Sequence, residues 1–76
     1  MEKILKILKS IRDDIDFENE KNLIDGGILD SFDVISIVAE LGEIYDITIT
    51  ADDIEPENFN SAGAILAFVE RKMDEL

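Results

Sequence analysis

The chain contains no cysteine and no histidine. Without cysteine no disulfide can hold the fold together, and zinc sites built from cysteine or histidine are excluded. A nucleophilic serine needs a positioned base, usually a histidine. No lysine lies between Lys21 and Lys72 to replace one near the middle of the chain. We therefore predict that the protein is not an enzyme.

The chain also has no long apolar run, and its middle part has no basic residue. No run approaches the roughly 18 residues that a membrane span needs, and the charged start at Glu2, Lys3 and Lys6 has no signal-peptide core. We expect a cytoplasmic protein. The net charge is −12, and residues 22–70 hold eleven acids and no base. This balance argues against nucleic-acid binding and favours partners with basic surfaces, although solubility alone is the plainer interpretation.

The 76 residues, of which 46% are hydrophobic, predict a single domain over 1–76, and we expect a monomer. The first predicted helix covers residues 2 to about 14, and a long loop over 16–30 follows it. The apolar side chains that we expect to hold the loop down are Phe17, Leu23, Ile24, Ile28 and Leu29. The apolar stripe of the first helix consists of Ile4, Leu8, Ile11 and Ile15, widened by Leu5.

Helical spacing predicts two further main helices, over about 31–45 and 62–74. Their inward stripes are Val34, Ile37, Val38, Leu41 and Tyr45, and Ala62, Ile65, Leu66, Val69 and Met73. Between them we predict an extended segment pinned by Ile49, a short helical turn capped by Thr50 and limited by Pro56, and Phe59 in the core. The predicted fold is all-α, a small bundle of three main helices plus one short helix.

A serine stands where the loop ends and the second helix begins. The loop residues Gly26 and Gly27 lead to Asp30, a good N-cap, and Asp33 at the third helical position resembles a capping box. The hydroxyl of Ser31 is thus displayed at a helix N-terminus, where unpaired N–H groups and the helix dipole tolerate a phosphate. A serine that is displayed but not activated indicates modification by another enzyme. Alternatively, Asp30 or Ser31 simply caps the helix.

The residues around this serine resemble the acyl carrier protein family. The resemblance covers essentially the whole chain and follows the family's order of an Asp-Ser motif, a helix, an aromatic-Asp-x-x-Ile segment and a last amphipathic helix. It lies in Leu29-Asp30-Ser31-Phe32-Asp33, Ala39-Glu40-Leu41, Tyr45-Asp46-Ile47-Thr48-Ile49, Phe59 and Ser61. The Asp-Ser pair alone is weak, but its combination with the downstream pattern, the length and the acidity is specific.

The resemblance implies a covalent cofactor on Ser31, namely 4′-phosphopantetheine transferred from coenzyme A by a magnesium-dependent phosphopantetheinyl transferase. The thiol of this arm would hold an acyl or aminoacyl cargo as a thioester, and Asp30 would assist the transfer. Implied partners are an acyl- or aminoacyl-loading ligase and downstream transferase or synthase enzymes with basic surfaces. The residues expected to dock them are Phe32, Asp33, Ile35, Glu40 and Glu43.

Departures from the family pattern point away from housekeeping fatty-acid synthesis. Phe32 replaces the commoner leucine, and Ser36 and Gly42 stand where those carriers tend to have glutamate. We therefore expect a dedicated carrier for an amino acid such as D-alanine or for a specialised acyl group. A small apolar cavity that could shelter an acyl chain is expected among Val34, Ile37, Leu41, Ile65 and their neighbours.

Two other interpretations remain. The chain could be an acidic helical interaction module with an unmodified Ser31. Acids at Asp14, Asp16, Glu18 and Asp25 also have a faint likeness to a calcium loop, but Asn19 occupies the position that requires glycine. We expect no metal site.

Overall fold

The computed structural model describes residues 1–75, and within them the regular structure is entirely helical. Four helices follow one another along the chain, with a single 3₁₀ turn at Ala51–Asp53 between the second and third. They are α1 (Glu2–Ile11), α2 (Ser31–Tyr45), α3 (Pro56–Phe59) and α4 (Ala62–Asp74). The predicted all-α bundle of three main helices and one short helix is confirmed. None of the helices in this part of the chain is long and apolar enough to cross a membrane.

Helix α1 is shorter than predicted. Its backbone becomes extended at Arg12, with φ −137° and ψ 109°, whereas the periodicity suggested a helix to about residue 14. Ile4 and Leu8 are buried as expected, and Ile7, which the predicted stripe omitted, is buried with them. Ile7 faces inward because it lies three residues after Ile4 on the same side of the helix.

Helices α1 and α2 run antiparallel. The guanidinium of Arg12, just past the end of α1, bonds to Asp33 in the first turn of α2. At the opposite ends, the ammonium of Lys3 lies 4.9 Å from the ring centroid of Tyr45. The start of α2 and the end of α1 therefore share one end of the bundle.

Residues 12–30 join the two helices in a long connection that is held to the body of the protein. Phe17, Leu23 and Leu29 are buried in the common core, as predicted. Asn60 bonds the middle of the connection, because its side-chain oxygen accepts from the backbone N–H groups of Ile24 and Asp25, both at 3.0 Å. Its amide nitrogen donates to the Asp25 carboxylate at 2.9 Å, and its backbone oxygen accepts from the N–H of Leu23 at 3.0 Å.

The segment between α2 and α4 adds two features that the prediction lacked. Ile49, the predicted anchor, is half-buried and packs against the core, but Ile47 is more deeply buried and follows Asp46, the left-handed C-cap of α2 (φ 54°). The turn capped by Thr50 ends at Asp53, before Pro56, and Pro56 also opens α3, since its fixed φ and missing N–H suit the first helical position. Phe59 is buried, as predicted.

Helix α4 begins where predicted, with the Ser61 hydroxyl accepting from the Ala64 N–H at 3.0 Å. The prediction that Met73 faces inward is wrong, because Met73 lies in the last turn and is 46% exposed. Phe68 is buried instead, with its ring centroid 5.3 Å from that of Phe59. The pairing with α3 brings the Phe68 side of α4 inward, a tertiary effect that spacing within α4 does not reveal.

Candidate functional site

The N-terminus of α2 is closed by a complete capping box. The Asp30 carboxylate accepts from the Asp33 N–H at 2.8 Å, and the Asp33 carboxylate accepts from the Asp30 N–H at 3.2 Å. Ser31 is therefore the first residue of the helix, and it is exposed. Such a box satisfies two backbone donors at once and fixes the direction in which the chain enters the helix.

Two glycines shape the chain just before this box. The N–H of Gly26 donates to the Asn22 carbonyl at 2.7 Å, and a Cβ at Gly26 would lie only 2.6 Å from that oxygen. Gly27 has φ +68°, a conformation that side chains other than glycine rarely adopt. The glycine pair identified in the sequence is thus required by a close approach and by a left-handed turn.

Arg12 ties this turn to the end of α1. Its Nη1 donates to Asp33 Oδ2 at 2.6 Å, while its Nε and Nη2 donate to the two oxygens of Asp14 at 2.9 and 2.8 Å. The ion pairs raise the pKa of Arg12 above its ordinary value, and the hydrogen bonds from Arg12 are the main reason that the pKa of Asp14 is lowered. Sequence reasoning missed Arg12, because its partner Asp33 lies 21 residues further along the chain.

The contact with Arg12 gives Asp33 a structural position. Only 12% of the Asp33 side chain is exposed, and one of its oxygens accepts from both Arg12 and Asp30. Asp33 was predicted as a docking residue, and its small exposed area leaves it little surface for a partner. Its first role in the structure is to hold the capping box.

The residues around Ser31 fit a phosphodiester. The backbone N–H groups of Ser31 and Phe32 come before the first intrahelical hydrogen bond, so they remain open to an acceptor at the positive end of the helix dipole. The exposed hydroxyl leaves room for a group of any length outside the fold. The arrangement is compatible with attachment of such a group at Ser31, and neither histidine nor cysteine exists to activate the serine as a nucleophile.

An exposed apolar and acidic face of α2 continues from Ser31. Phe32 is 80% exposed and Ile35 is 62% exposed, unlike the buried Ile37 on the opposite side of the helix. Glu40 and Glu43 are exposed further along. Phe32, Ile35 and Glu43 follow helical spacing and share one face, and Glu40 lies at the edge of that face. We refer to Phe32, Ile35, Glu40 and Glu43 as the α2 face.

The carboxylates that resembled a calcium loop bond to other groups. Asp14 accepts from Arg12, Asp16 accepts from the side chain of Asn19 at 2.8 Å, and Asp25 accepts from Asn60. Within residues 1–75 no group of three or more acidic side chains is arranged to hold a metal ion.

The predicted acyl-sheltering cavity stays a prediction. Ile37, Leu41 and Ile65 are fully buried within the common core. A pocket of about 320 Å³ lies elsewhere, between α1, the long connection and the start of α4. Its apolar lining includes Leu5 and Phe17.

Comparison with known proteins gives a consistent result. Residues 2–69 match the family described as a phosphopantetheine attachment site. The D-alanyl carrier protein of Lactococcus lactis subsp. cremoris is 34% identical over 80 aligned residues, which cover 97% of this chain and 96% of that protein. The D-alanyl carrier protein of Lactococcus lactis subsp. lactis is 32% identical over the same shares, and that of Streptococcus suis is 29% identical over 90% of this chain and 87% of that protein.

The match covers nearly the whole chain, and it agrees with the helical fold and with a displayed serine that lacks a catalytic base. Membership implies a covalently attached 4′-phosphopantetheine. It also implies partner enzymes such as a transferase and a ligase. This chain belongs to the phosphopantetheine-binding family of carrier proteins.

Proposed function

We propose that the protein is a D-alanyl carrier that holds D-alanine as a thioester on a 4′-phosphopantetheine arm attached to Ser31. The observation that carries the attachment is the exposed position of Ser31 as the first residue of α2, within a complete capping box. The cargo is supported by the D-alanyl carrier proteins of Lactococcus lactis, which align over 97% of this chain. We propose one carrier domain over 1–76 that works in the cytoplasm and catalyses no reaction of its own.

Attachment of the arm is a phosphoryl transfer in which this chain is the substrate. The Oγ of Ser31 forms a bond to the phosphorus that bears pantetheine, the pyrophosphate bond of coenzyme A breaks, and 3′,5′-ADP leaves. The hydroxyl proton passes to a base of the transferase or to water. The open N–H groups of Ser31 and Phe32 favour the negative charge of the resulting phosphodiester, and Asp30 keeps these groups at the helix end through the capping box.

The arm, once attached, supplies the thiol that this chain lacks. An adenylating ligase would join the carboxyl group of D-alanine to the AMP part of ATP with release of pyrophosphate, and the thiol would then lose its proton and displace AMP to form the thioester. A downstream transferase would then pass the D-alanyl group to its acceptor. The protein's own residues bind these enzymes in turn and orient the arm.

The α2 face is the proposed docking surface for these enzymes. Phe32 and Ile35 expose apolar area beside Ser31, while Glu40 and Glu43 supply negative charge further along the helix. Apolar contacts of this kind contribute to affinity, and complementary charges speed the encounter and set the orientation. Asp33 contributes its charge but little contact area, because Arg12 covers it.

The attachment is tested by the intact mass after incubation with coenzyme A, magnesium and a broad-specificity phosphopantetheinyl transferase. Wild type is expected to gain one phosphopantetheine and Ser31→Ala none. Ser36→Ala is the matched control, because Ser36 is an exposed serine on the same helix. It should gain one group like wild type. No gain on wild type, with a folded protein and an active control carrier, would favour the interaction module with an unmodified serine.

The cargo is tested on the loaded protein with a D-alanine-activating ligase and ATP. We expect a mass gain of one alanyl group that hydroxylamine removes, with D-alanine preferred over L-alanine. The same protein is offered a fatty acid with an acyl-carrier synthetase in parallel. Efficient fatty acylation without D-alanylation would refute the cargo and leave the attachment intact.

A further inference from the structure

The cation that reaches the capping box around Ser31 is Arg12. Its guanidinium lies 2.6 Å from Asp33 Oδ2, and the same oxygen accepts from the Asp30 N–H at 3.2 Å. Arg12 also donates two hydrogen bonds to Asp14, so its guanidinium bridges two carboxylates. Ser31 lies between the two partners of this box in the sequence. A contact made by α1 thus acts directly on the backbone that presents the hydroxyl.

We propose that Arg12 is a positioning residue for the modification of Ser31. By holding the Asp33 carboxylate, it keeps the capping box closed and the first turn of α2 in the conformation that presents the hydroxyl to the transferase. This inference rests on the proposed attachment at Ser31. It adds a residue of α1 to a site otherwise built from the loop and α2.

Electrostatics explains why the box needs this cation. Asp30 and Asp33 bring two carboxylates together at the helix start, and like charges that close repel each other. The charged hydrogen bond from Arg12 offsets this repulsion at the oxygen that also bonds to the Asp30 N–H. Without it, Asp33 would turn towards water, the Asp30 N–H would lose its acceptor, and Ser31 would sample several orientations.

The proposal predicts a specific kinetic pattern. Removing a positive charge makes the protein more acidic, which by itself should strengthen docking to a basic transferase. Loss of positioning should lower kcat instead. For Arg12→Gln we therefore expect kcat for the carrier to fall on the order of fivefold, with KM unchanged or lower.

Lys9→Gln is the matched control for charge. Lys9 is an exposed residue of α1 that makes no ion pair with residues 1–75, and the substitution changes the net charge by the same amount. We expect its kcat to equal that of wild type. Arg12→Lys keeps the positive charge but lacks the planar guanidinium that donates to Asp14 and Asp33 at once. Its kcat should therefore lie between those of Arg12→Gln and wild type.

A spectroscopic measurement separates positioning from general stability. The amide of Asp30 should exchange with solvent faster in Arg12→Gln than in Lys9→Gln, while amides in the middle of α4 should be unaffected. Equal kcat values for Arg12→Gln and wild type would overturn the inference, as would equal losses in Arg12→Gln and Lys9→Gln. No modification of wild type would overturn the proposed attachment and this inference together, so the two failures are distinguishable.

Discussion

Helices α1 and α2 bury their inner faces in the same core, but their outer faces carry charge of opposite sign. Helix α1 carries Lys3, Lys6 and Lys9 with one acid, whereas α2 carries three acids and no base. Helix α2 also exposes Phe32 and Ile35. Large apolar side chains in water contribute little to folding, and their clustering beside a displayed serine supports the proposed docking surface. Packing in the core explains the apolar residues on the inner faces of both helices. It does not explain the apolar residues on the outer face of α2.

The largest expected effect comes from comparing the two faces of α2. Ile37→Ala should lower the free energy of unfolding by about 2–5 kcal/mol, because it empties space in a close-packed core. Ile35→Ala deletes the same atoms from the exposed face and should change stability by less than about 0.5 kcal/mol. Urea denaturation followed by circular dichroism measures both. A large loss for Ile35→Ala would show that this face packs inside the protein and does not serve docking.

Reversing charges on each helix tests whether location or total charge governs docking. The double variant Glu40→Lys and Glu43→Lys should slow modification at low salt on the order of tenfold, because it removes attraction at the proposed contact. Lys6→Glu with Lys9→Glu shifts the net charge by the same amount in the opposite direction and should leave the rate within about twofold.

Modification rates are compared at low and high salt. The difference in rate between the two double variants should shrink at high salt, because salt screens the charge–charge attraction. If the α1 double speeds the reaction as much as the α2 double slows it, net charge alone controls the encounter.

The smallest expected effect lies on the acid side of the stability curve. Asp14, held by Arg12 beside the α1–α2 junction, and Asp53, held by Lys72, both have lowered pKa values in the fold. Each contributes stability above the unfolded pKa of about 3.9, and the contribution is lost as pH falls through the lower folded value. Asp14→Asn should therefore lose less stability than wild type between about pH 4 and pH 2.

The neighbour Asp13 supplies the control for this measurement. Asp13 is exposed and pairs with no cation among residues 1–75, so Asp13→Asn should follow the wild-type pH dependence. Urea midpoints at the two pH values give the comparison. Parallel curves for Asp14→Asn and wild type would contradict the stabilising role of the Arg12–Asp14 pair.

The sequence predicted α2 well because its signals are local. Asp30 and Asp33 lie three residues apart, a spacing that predicts the capping box, and the inward stripe from Val34 to Tyr45 follows one period. The predicted bounds of 31–45 match the structure. Ser31 could be singled out for the same reason, since a loop end and a helix start are both visible in neighbouring residues.

The misses depend on contacts between distant parts of the chain. The burial of Phe68 in place of Met73 depends on the ring of Phe59. The role of Arg12 depends on the antiparallel approach of α1 to α2, which no spacing within either helix specifies. The burial of Ile47 accompanies the left-handed backbone of Asp46 just after α2, and the sequence pattern did not indicate where that turn falls.

The bonds made by Asn60 have a consequence for proteolysis. A protease must draw several consecutive residues into its cleft in extended form, and long loops are its usual targets. Here the longest connection is held at its middle by one asparagine side chain and by the burial of Phe17, Leu23 and Leu29. We therefore expect cleavage within residues 12–30 to require part of the core to open first, so that this long connection resists proteolysis while the protein is folded.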